Sequence, residues 1–575
     1  MRDRWNEFAA YGLFLSALAA QPLFVLIFWS RTWDDSAITM SFAQTFAHTG
    51  VIEGTHGSGI VEGYSTTLWM LVVAALSRFA SSPAALLTSA KILGCALNML
   101  NIALAYRFAR RWGGSIVAGV TAGAFGLTEL TLYESVNAME GPLMAALMLM
   151  AVLCLPLKRR RDTAIFLTCT CLFLLTRFEA FLLVFPLLLV VRPWSRRILA
   201  SAAWLATLGA TEVARWSYFG SLVPNTILAK RRFPYFPLTL REEIERHFST
   251  AVTVSRLLAM LLIVLLIALF LDRRRLVHLV RRMSATVLWS RLKERYENAA
   301  GFDIAFVLAL TGLLVDFMVG ANWGPPDREL FSTLPFLIYC LVYASLWAAH
   351  RPSHRRAICA LFVVALSYRA VRTAQRLHDP AAPLYMPLIT IETIAKLLPP
   401  VEGIRRASGL ATLTFATPDV GGVMLFGGDL RILDLGMLCD RRLALTGYSQ
   451  APQYLLDERM PEVMEMHSFW NALVGLGDSQ KFYEEYAVVY VGKTRYFVRR
   501  DILARFAEQT VRRSFSSDGH PQPEEDEAAG PKELIYPEYD QGDLGVNKKF
   551  GTYARFSPSG LLHYFGPSRQ DAAKP

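Results

Sequence analysis

The chain has 575 residues, of which 53% are hydrophobic and only 19% are charged. This composition excludes a single soluble domain and a simple membrane anchor, and it predicts a polytopic α-helical membrane protein. The formal net charge of +11 does not indicate nucleic-acid binding, because the basic residues occur in short runs between apolar segments, where they set membrane orientation.

Two adjacent carboxylates follow the first apolar segment. Residues 8 to 30 are long enough to span a bilayer and lack a small-residue cleavage site, so we expect a membrane helix rather than a signal peptide. The arginines before it place the N-terminus in the cytoplasm and Asp34 and Asp35 on the far side. Because an unpaired carboxylate beside hydrocarbon is costly, this pair and Glu62 predict a water-accessible reaction cleft. The alternative is that the two aspartates merely end the helix.

The apolar segments and the Lys/Arg runs together predict eleven spans, with the N-terminus inside and the C-terminus outside. Residues 66 to 80 are apolar but short, so we expect a juxtamembrane or partly inserted helix there. The predicted spans are residues 8–30, 85–106, 115–133, 141–157, 163–176, 180–191, 197–216, 255–271, 302–319, 330–349 and 355–371.

This topology collects polar residues in the loops of the far face. Besides the two aspartates and Glu62, these loops hold Glu134, Glu140, Arg177, Glu179, residues 215–232 and residues 320–329. Irregular backbone at membrane depth is tolerated where it lines a cavity or is covered by protein, so we expect one extracytoplasmic cavity lined by five loops. Lys230, Arg231 and Arg232 break the positive-inside pattern, which a polyanionic ligand would explain.

The pattern changes after residue 371. The stretches LATLTFAT and KFYEEYAVVYVG are strand-like, DVGG and FGGD are turn signals, and no further span follows. We therefore divide the chain into a transmembrane catalytic domain, residues 1–371, and an extracytoplasmic mixed α/β or β-rich domain, residues 372–575. Residues 516–533 are polar, acidic and Pro-rich, which predicts a mobile surface insertion. The aromatic residues Trp470, Tyr483, Tyr486 and Tyr490 either stack on the sugars of an acceptor or build the core of this domain.

A family resemblance adds to these patterns. The stretch WDDSAITMSFAQTFAHTG, followed by VEGYSTTLW, resembles the first extracytoplasmic loop of the GT-C glycosyltransferases. The nearest branch is that of the arabinofuranosyltransferases, which includes the mycobacterial terminal β-(1→2)-arabinofuranosyltransferase. The resemblance covers most of residues 30 to 335, and residues 419 to 437 show a weaker similarity. It implies that the first loop carries the catalytic acidic residue and that the donor is a polyprenyl-phosphate sugar.

The resemblance also implies roles for residues of the first loop. One of Asp35 and Asp34 is expected to be the catalytic base that deprotonates the acceptor hydroxyl, and which of the two remains open. The other is expected to bind a hydroxyl, a metal or a backbone amide, since adjacent side chains face different ways. Glu62 and Tyr64, in Val-Glu-Gly-Tyr, are expected to bind substrate, although Glu62 could instead cap the helix that follows.

Other motif residues lie in later loops. Glu140 matches the second acidic loop and is expected to bind substrate, with N-capping of the next helix as its alternative. Arg177 and Glu179 match a Thr-Arg-Pro-Glu motif in which Phe178 replaces the proline. Arg177 is expected to contact the donor phosphate, and its alternative is an ion pair with Glu179 that holds two helices together.

The last two motifs contain the remaining cations. FGSLVPNTILAK retains Asn225, a substrate-binding candidate, and Lys230, which we assign to the donor phosphate together with Arg328. Trp323 is retained as a further substrate-binding candidate. Asn322 stands where the family carries Asp, which removes the basis for a metal or hydroxyl ligand at that position.

The sequence therefore predicts inverting transfer of a sugar, arabinofuranose by resemblance, from a polyprenyl phosphate to a hydroxyl of an extracytoplasmic glycan. The expected location is the bacterial inner membrane, with the bilayer, the lipid donor and the glycan as partners and no nucleic acid. No metal ligand is assigned, and a divalent cation stays open as a cofactor. A transporter or flippase for a lipid-linked glycan is the alternative, but such proteins usually show duplicated halves with interrupted helices at the midplane. A scaffold without activity is a third possibility.

Overall fold

The computed structural model describes residues 2–155, 157–232, 256–273, 301–319, 328–377, 389–466, 468–491, 494–506, 511–513, 553–556 and 562–565. It confirms the predicted class, a bundle of apolar α-helices followed by a region that contains a mixed β-sheet. Three described helical segments are long and apolar enough to cross a membrane: Glu7–Ile27, Pro83–Gly126 and Gly301–Val319. A bent helix pair makes a fourth candidate. The total of eleven spans and the side on which the sheet lies remain predictions.

The first three helices frame the loop that carries the two aspartates. Helix α1 is Arg2–Ile27, α2 is Asp34–Thr49 and α3 is Thr67–Ser77. Helix α2 ends at Gly50, whose φ of 77° suits a glycine, and the Gly50 amide donates to the Phe46 carbonyl oxygen at 2.9 Å. Helix α3 confirms the short helix expected within residues 66 to 80.

The next helices depart from the predicted spans. Helix α4, Pro83–Leu127, is interrupted at Gly114, whose φ of 84° lies in a region that favours glycine. It ends before the predicted boundary at residue 133, because Thr128 adopts an extended conformation. Helices α5, Glu129–Asn137, and α6, Gly141–Leu153, then follow at a bend of 116°. Every residue of α5 is buried, so it is an internal helix rather than the end of a span.

A buried polar network holds α5 in the apolar bundle. Ser135 donates to the side-chain oxygen of Gln21 on α1 at 2.7 Å, and the Asn98 amide donates to Ser135 at 2.8 Å. The Asn101 amide reaches the Pro142 carbonyl oxygen, at the start of α6, at 2.9 Å. Polar groups in a membrane bundle are stabilising where they satisfy each other, so this network fixes the bend between α5 and α6.

The remaining helices complete the bundle. Pro186 divides the predicted span 180–191 into two short helices, consistent with its missing amide hydrogen. The helical elements that follow α6 in the bundle are α7 (Arg160–Leu174), α8 (Ala180–Val184), α9 (Leu187–Val190), α10 (Trp194–Phe219), α11 (Asn225–Arg232), Arg256–Leu271, Gly301–Val319, the 3₁₀ turn Arg328–Ser332, Leu334–Ala348 and Pro352–Leu377. Phe108, Phe125 and Tyr339 are among the largest side chains fully buried in the core they form.

The C-terminal region is built on an eight-stranded mixed sheet with the order β2-β1-β3-β5-β4-β7-β8-β6. The strands are β1 (Thr414–Thr417), β2 (Arg431–Asp434), β3 (Val463–Glu465), β4 (Tyr486–Val491), β5 (Thr494–Arg499), β6 (Val511–Arg513), β7 (Tyr553–Phe556) and β8 (Leu562–Phe565). Strand β1 runs parallel to both β2 and β3, so the carboxyl ends of these three strands share one edge. The strand-like runs predicted around β1 and β4 are confirmed.

Short helices precede β1 and connect the strands that follow. They are Ile391–Ala395, Leu398–Ala407, Gly421–Phe426, Arg441–Thr446, Tyr448–Gln450, Ala451–Gln453, Tyr454–Arg459, Ser468–Val474, Leu476–Asp478, Gln480–Glu485 and Arg500–Leu503. The turn predicted at DVGG is wrong, since Gly421 begins a helix that packs against α2. The insertion predicted at residues 516–533 lies outside the described residues.

The aromatic residues of this region serve mainly as core. Trp470 and Tyr486 are buried, and the Tyr486 hydroxyl donates to the Pro461 carbonyl oxygen at 2.8 Å. The Tyr483 hydroxyl donates to the Gly477 carbonyl oxygen at 2.5 Å. Tyr483 and Tyr490 are partly buried against the same cluster. Of the two roles that the sequence left open for these residues, the structure shows core packing.

Candidate functional site

The first loop lies against the C-terminal region on both sides of the aspartate pair. Trp33 and Thr390 form an isolated antiparallel bridge. The Ile391 amide donates to the Thr32 carbonyl oxygen at 3.1 Å, and the Asp34 amide donates to the Ile389 carbonyl oxygen at 3.4 Å. The start of α2 is therefore held by backbone hydrogen bonds from a segment more than 350 residues away in sequence.

Asp34 is buried, and both of its carboxylate oxygens accept backbone hydrogen bonds. Oδ2 accepts from the Gly421 amide at 2.8 Å, and Oδ1 accepts from the Gly422 amide at 2.6 Å. Burial and the charge of Asp419 raise the pKa of Asp34 well above its usual range, although the two amides oppose this shift. Asp34 thus takes the backbone-amide role that the sequence left open for one member of the pair.

Asp35 has different surroundings, although it is the next residue. Its side chain is only half-buried, and it faces the cations Arg328 and Lys230. Burial raises the pKa of Asp35, while Arg328, Lys230 and a hydrogen bond from Trp33 partly counteract that rise. Within the described part of the chain, no cation lies within ion-pair distance of the Asp35 carboxylate. Its oxygens are therefore not engaged in the way that those of Asp34 are.

Arg177 is the centre of a buried cluster of charges, which we call the Arg177 cluster: Arg177, Glu140, Glu179 and Glu329. Nη1 lies 2.8 Å from Glu140 Oε1, Nη2 lies 3.3 Å from Glu329 Oε1, and Nε contacts Glu179. Burial acts to raise the pKa of Glu329, but Arg177 and Arg328 outweigh it and lower this pKa to about 2. The Arg177–Glu179 ion pair expected as an alternative is present. Arg177, assigned to the donor phosphate from sequence, is already surrounded by carboxylates.

The Glu140 side chain does not cap a helix, and it is not exposed. Its side chain makes no capping bond to α6, although it occupies the N-cap position, and one of its oxygens contacts Arg177. Gly141 follows, where the sequence departs from the family pattern. A Cβ at Gly141 would lie 2.5 Å from Glu134 Oε2, so a larger residue here would require the Glu134 side chain to move.

Lys230 and Arg328 are the cations nearest to Asp35. Lys230, at the end of α11, is half-buried, and no carboxylate among the described residues lies within ion-pair distance of its Nζ. Burial, together with the like charges of Arg328 and Arg177, lowers the pKa of Lys230 to about 8. Arg328 contacts Glu329 through Nε at 3.4 Å and Met139 Sδ through Nη1 at 3.8 Å.

A narrow cavity lies between the Arg177 cluster and Arg328. Its free space is about 20 Å³, enough for roughly one water molecule. Its walls come from α6, α8, the helix Gly301–Val319 and the turn Arg328–Ser332. The cavity therefore brings together side chains from four separate stretches of sequence.

Three residues predicted to bind substrate take part in a contact between the first loop, α10, α11 and the sheet region. Glu62 accepts from Arg215 Nε at 2.7 Å, and Tyr64 packs edge-on against Phe42 at 5.3 Å between ring centres. The Asn225 side-chain amide donates to the carbonyl oxygens of Met437 and Leu438 at 3.0 and 2.8 Å. Neither the predicted cap by Glu62 nor an exposed sugar-binding face is found at these positions.

Sequence reasoning gave no role to Arg215. The sequence feature that could have identified Arg215 is its position near the end of the apolar helix α10. A cation that is buried there requires a carboxylate partner. Trp323 and Asn322 lie outside the described residues. Within the residues that the structure describes, no three His, Cys, Asp or Glu side chains are placed to hold a metal ion.

Comparisons with known proteins give two distant structural likenesses. No known protein family matches the chain, and no curated protein matches it. ArnT from Cupriavidus metallidurans in the apo state is 12% identical, with a TM-score of 0.39 over 85% of this chain and 97% of that chain. The same protein bound to undecaprenyl phosphate is 12% identical, with a TM-score of 0.40 over the same shares.

Proposed function

We propose that this chain is a membrane glycosyltransferase of the GT-C type that transfers a sugar from a polyprenyl phosphate to a hydroxyl of a glycan. One observation carries the proposal: the half-buried carboxylate of Asp35 lies within the electrostatic influence of Lys230 and Arg328, and neither cation is within ion-pair distance of it. A base beside cations that can hold a phosphate is the set of groups that such a transfer requires.

The reaction follows as a single displacement. The acceptor hydroxyl oxygen attacks the anomeric carbon of the donor, and Asp35 takes the hydroxyl proton. The bond between the anomeric carbon and the phosphate oxygen breaks at the same time, so that configuration at this carbon inverts. Polyprenyl phosphate leaves with an additional negative charge, which Lys230 and Arg328 stabilise.

The raised pKa of Asp35 suits this role. A general base is most effective when its pKa approaches the working pH, because it then accepts the proton more readily while still being ionised. Burial brings the pKa of Asp35 closer to that range than an exposed aspartate would have. Asp34 suits this role less well, because each of its carboxylate oxygens already accepts a backbone hydrogen bond, from Gly421 or Gly422.

Glu140 supplies a candidate contact to the sugar. Its Oε1 contacts Arg177, whereas its Oε2 is buried and has no hydrogen-bond partner among the residues described. An unsatisfied buried carboxylate oxygen is costly, and a sugar hydroxyl is a donor that would satisfy it. We therefore keep Glu140 as a substrate-binding residue and assign Arg177 to holding it in place.

The finer assignments rest on the motifs of the first loop. The resemblance of VEGYSTTLW and the Asp-Asp pair to the arabinofuranosyltransferase branch supports arabinofuranose as the sugar and an extracytoplasmic glycan as the acceptor. Arg2 and Arg4, which precede the first apolar segment, support an N-terminus in the cytoplasm, with the aspartate pair on the outer side of the bacterial inner membrane.

The test is transfer by the purified full-length protein. It is incubated with decaprenyl-phosphate-linked arabinofuranose, or with other polyprenyl-phosphate sugars, and with oligosaccharide acceptors, and products are read by mass spectrometry. We expect the acceptor to gain one sugar while polyprenyl phosphate is released in equal amount. Vesicles that hold the protein are assayed in parallel for movement of the lipid-linked sugar across the bilayer. Movement without any transfer would identify a flippase and overturn the proposal.

A further inference from the structure

The contact between Asp34 and the sheet region leaves no space for a side chain. A Cβ added at Gly421 would lie 2.0 Å from the Asp34 carbonyl oxygen, and one added at Gly422 would lie 2.4 Å from the Ile391 carbonyl oxygen. Real Cβ atoms do not approach that closely, so any larger residue would push the backbones apart. The glycine pair is therefore what allows its amides to reach the Asp34 carboxylate at 2.8 and 2.6 Å.

The same C-terminal segment also holds the residues before Asp34. Thr32 and Trp33 are bound to Ile391 and Thr390, and this pairing lies next to the glycine contact. Asp34 is thus fixed through its side chain on one side and through its neighbours' backbone on the other. Among the described residues, the Asp35 carboxylate accepts no such pair of backbone hydrogen bonds. It has a hydrogen bond from Trp33, and the charges of Arg328 and Lys230 act on it.

We propose that Asp34 is a positioning residue, and that Gly421 and Gly422 act through it to aim the Asp35 carboxylate at the acceptor hydroxyl. This inference rests on the proposed function, because Asp35 is the group being positioned. Consecutive residues of a helix are separated by about 100°, so fixing Asp34 at the start of α2 also fixes the direction of Asp35. The sheet region is then part of the catalytic site and not a detachable binding module.

The proposal separates two kinetic quantities. Lys230 lies on α11 and Arg328 on the turn Arg328–Ser332, and neither is bound to the glycine pair. A shift of the Asp34 backbone should therefore leave phosphate binding intact and lower turnover. A displacement of about 1 Å in a catalytic group can cost about 10²-fold in rate.

The first test is Gly421→Ala in the full-length protein, with Gly477→Ala as the matched control. Both glycines lie in the sheet region, but a Cβ at Gly477 meets its nearest neighbours at 3.7 Å, an ordinary contact. We expect Gly421→Ala to lower kcat by about 10²-fold while the Kd for decaprenyl phosphate stays unchanged. Gly477→Ala should match the unsubstituted protein in both measurements.

Asp34→Asn provides a second variant of unchanged size, should Gly421→Ala fail to fold. Its amide group turns one donor toward a backbone donor, so one of the two hydrogen bonds is lost. We expect about a 10-fold fall in kcat per folded molecule, again with an unchanged Kd for decaprenyl phosphate.

Asp35→Asn, measured beside them, distinguishes the two possible failures. If Asp35→Asn is inactive but monodisperse Asp34→Asn turns over normally, Asp34 only stabilises the fold and the positioning proposal is overturned. If the Kd for decaprenyl phosphate weakens in parallel with kcat, the damage is general, and the proposal is again overturned. If Asp35→Asn itself turns over normally, the base lies elsewhere and the proposed function fails together with this inference.

Discussion

The Arg177 cluster lies beside the charged groups around Asp35, but the two sets of charges differ in whether they have ion-pair partners. Arg177 contacts three carboxylates, from Glu140, Glu179 and Glu329. Around Asp35, by contrast, the carboxylate makes no ion pair with a described cation, and Lys230 makes none with a described carboxylate. Arg328 lies between the two groups, with its Nε 3.4 Å from Glu329. Paired charges hold segments together, whereas charges without a partner are available to a ligand.

This difference separates residues that look alike in sequence. Arg177, Lys230 and Arg328 are all cations that the predicted topology places on one face, and the sequence predicts contact with the donor phosphate for each of them. Only their partners distinguish them, and the partners of Arg177 come from residues 140, 179 and 329. Substitutions in each group of charges therefore have different expected effects, on turnover around Asp35 and on stability in the Arg177 cluster.

The largest effect is expected for Asp35→Asn. Asparagine keeps the size of the side chain but cannot take the acceptor proton, so turnover should fall by about 10²- to 10⁴-fold. The Kd for decaprenyl phosphate should stay within about twofold, because Lys230 and Arg328 remain. Turnover is measured per monodisperse molecule, and binding is measured on the same preparation.

The matched control for this variant is Asp303→Asn. Asp303 is an acidic residue in the first turn of the bundle helix Gly301–Val319 and is not among the main charges that act on Asp35. It should retain turnover close to that of the unsubstituted protein. Equal losses in both variants would point to damaged folding and would remove the catalytic role of Asp35.

The next effect is one of stability. Arg177→Gln removes the cation that three buried or partly buried carboxylates share. It leaves Glu140 without an ion pair among the described residues and leaves Glu329 with only its longer contact to Arg328. Breaking a buried ion pair in this way costs about 3–5 kcal/mol. We expect a large fall in the thermal unfolding midpoint in detergent. A double variant, Arg177→Gln with Glu140→Gln, should recover part of the loss, and its failure to do so would argue against the cluster as a structural unit.

The class of fold could be predicted from the sequence, because long apolar runs and strands with a period of two residues are local signals. The sequence also located Asp34 and Asp35 but could not divide their roles, because the division depends on Gly421 and Gly422, which appear in sequence as a turn. Glu62 was found for the same reason as Asp35, as an acid in a polar loop. Its partner, Arg215, is a side chain on α10 that no local pattern connects to it.

A third variant tests Lys230, which has no carboxylate partner among the described residues. Lys230→Gln should weaken decaprenyl phosphate binding by about 10- to 100-fold, because a charge-assisted contact to phosphate contributes about 1.5–3 kcal/mol. Its neighbour Arg231 is exposed, so Arg231→Gln serves as the control and should change binding little. Equal weakening in both variants would indicate general attraction of the lipid to a basic surface.

The pKa of Lys230 predicts a pH dependence of the same step. The protonated amine binds phosphate, and the pKa of Lys230 in the free protein is lowered to about 8 by burial and by Arg328. The kcat/KM for the donor should therefore fall as pH rises through about 8. Lys230→Arg keeps its charge throughout this range and should move the fall to higher pH. An unchanged alkaline limb in Lys230→Arg would assign the limb to another group.

The smallest effect is expected for Glu62→Gln. Glu62 has an ion-pair partner, so we expect it to stabilise the fold and not to take part in catalysis. Glu62 is buried and accepts from Arg215 Nε at 2.7 Å, while Arg215 has a second carboxylate partner in Glu212. In Glu62→Gln the side-chain oxygen can still accept this hydrogen bond, and Glu212 still compensates the charge of Arg215. The loss of stability should therefore be only about 1 kcal/mol, and turnover per folded molecule should stay within about twofold. Thermal unfolding and steady-state turnover of the same preparation measure both quantities. A fall in turnover that approaches that of Asp35→Asn would instead place Glu62 among the groups that contact the substrate, because the contact with Arg215 alone accounts for stability and not for rate.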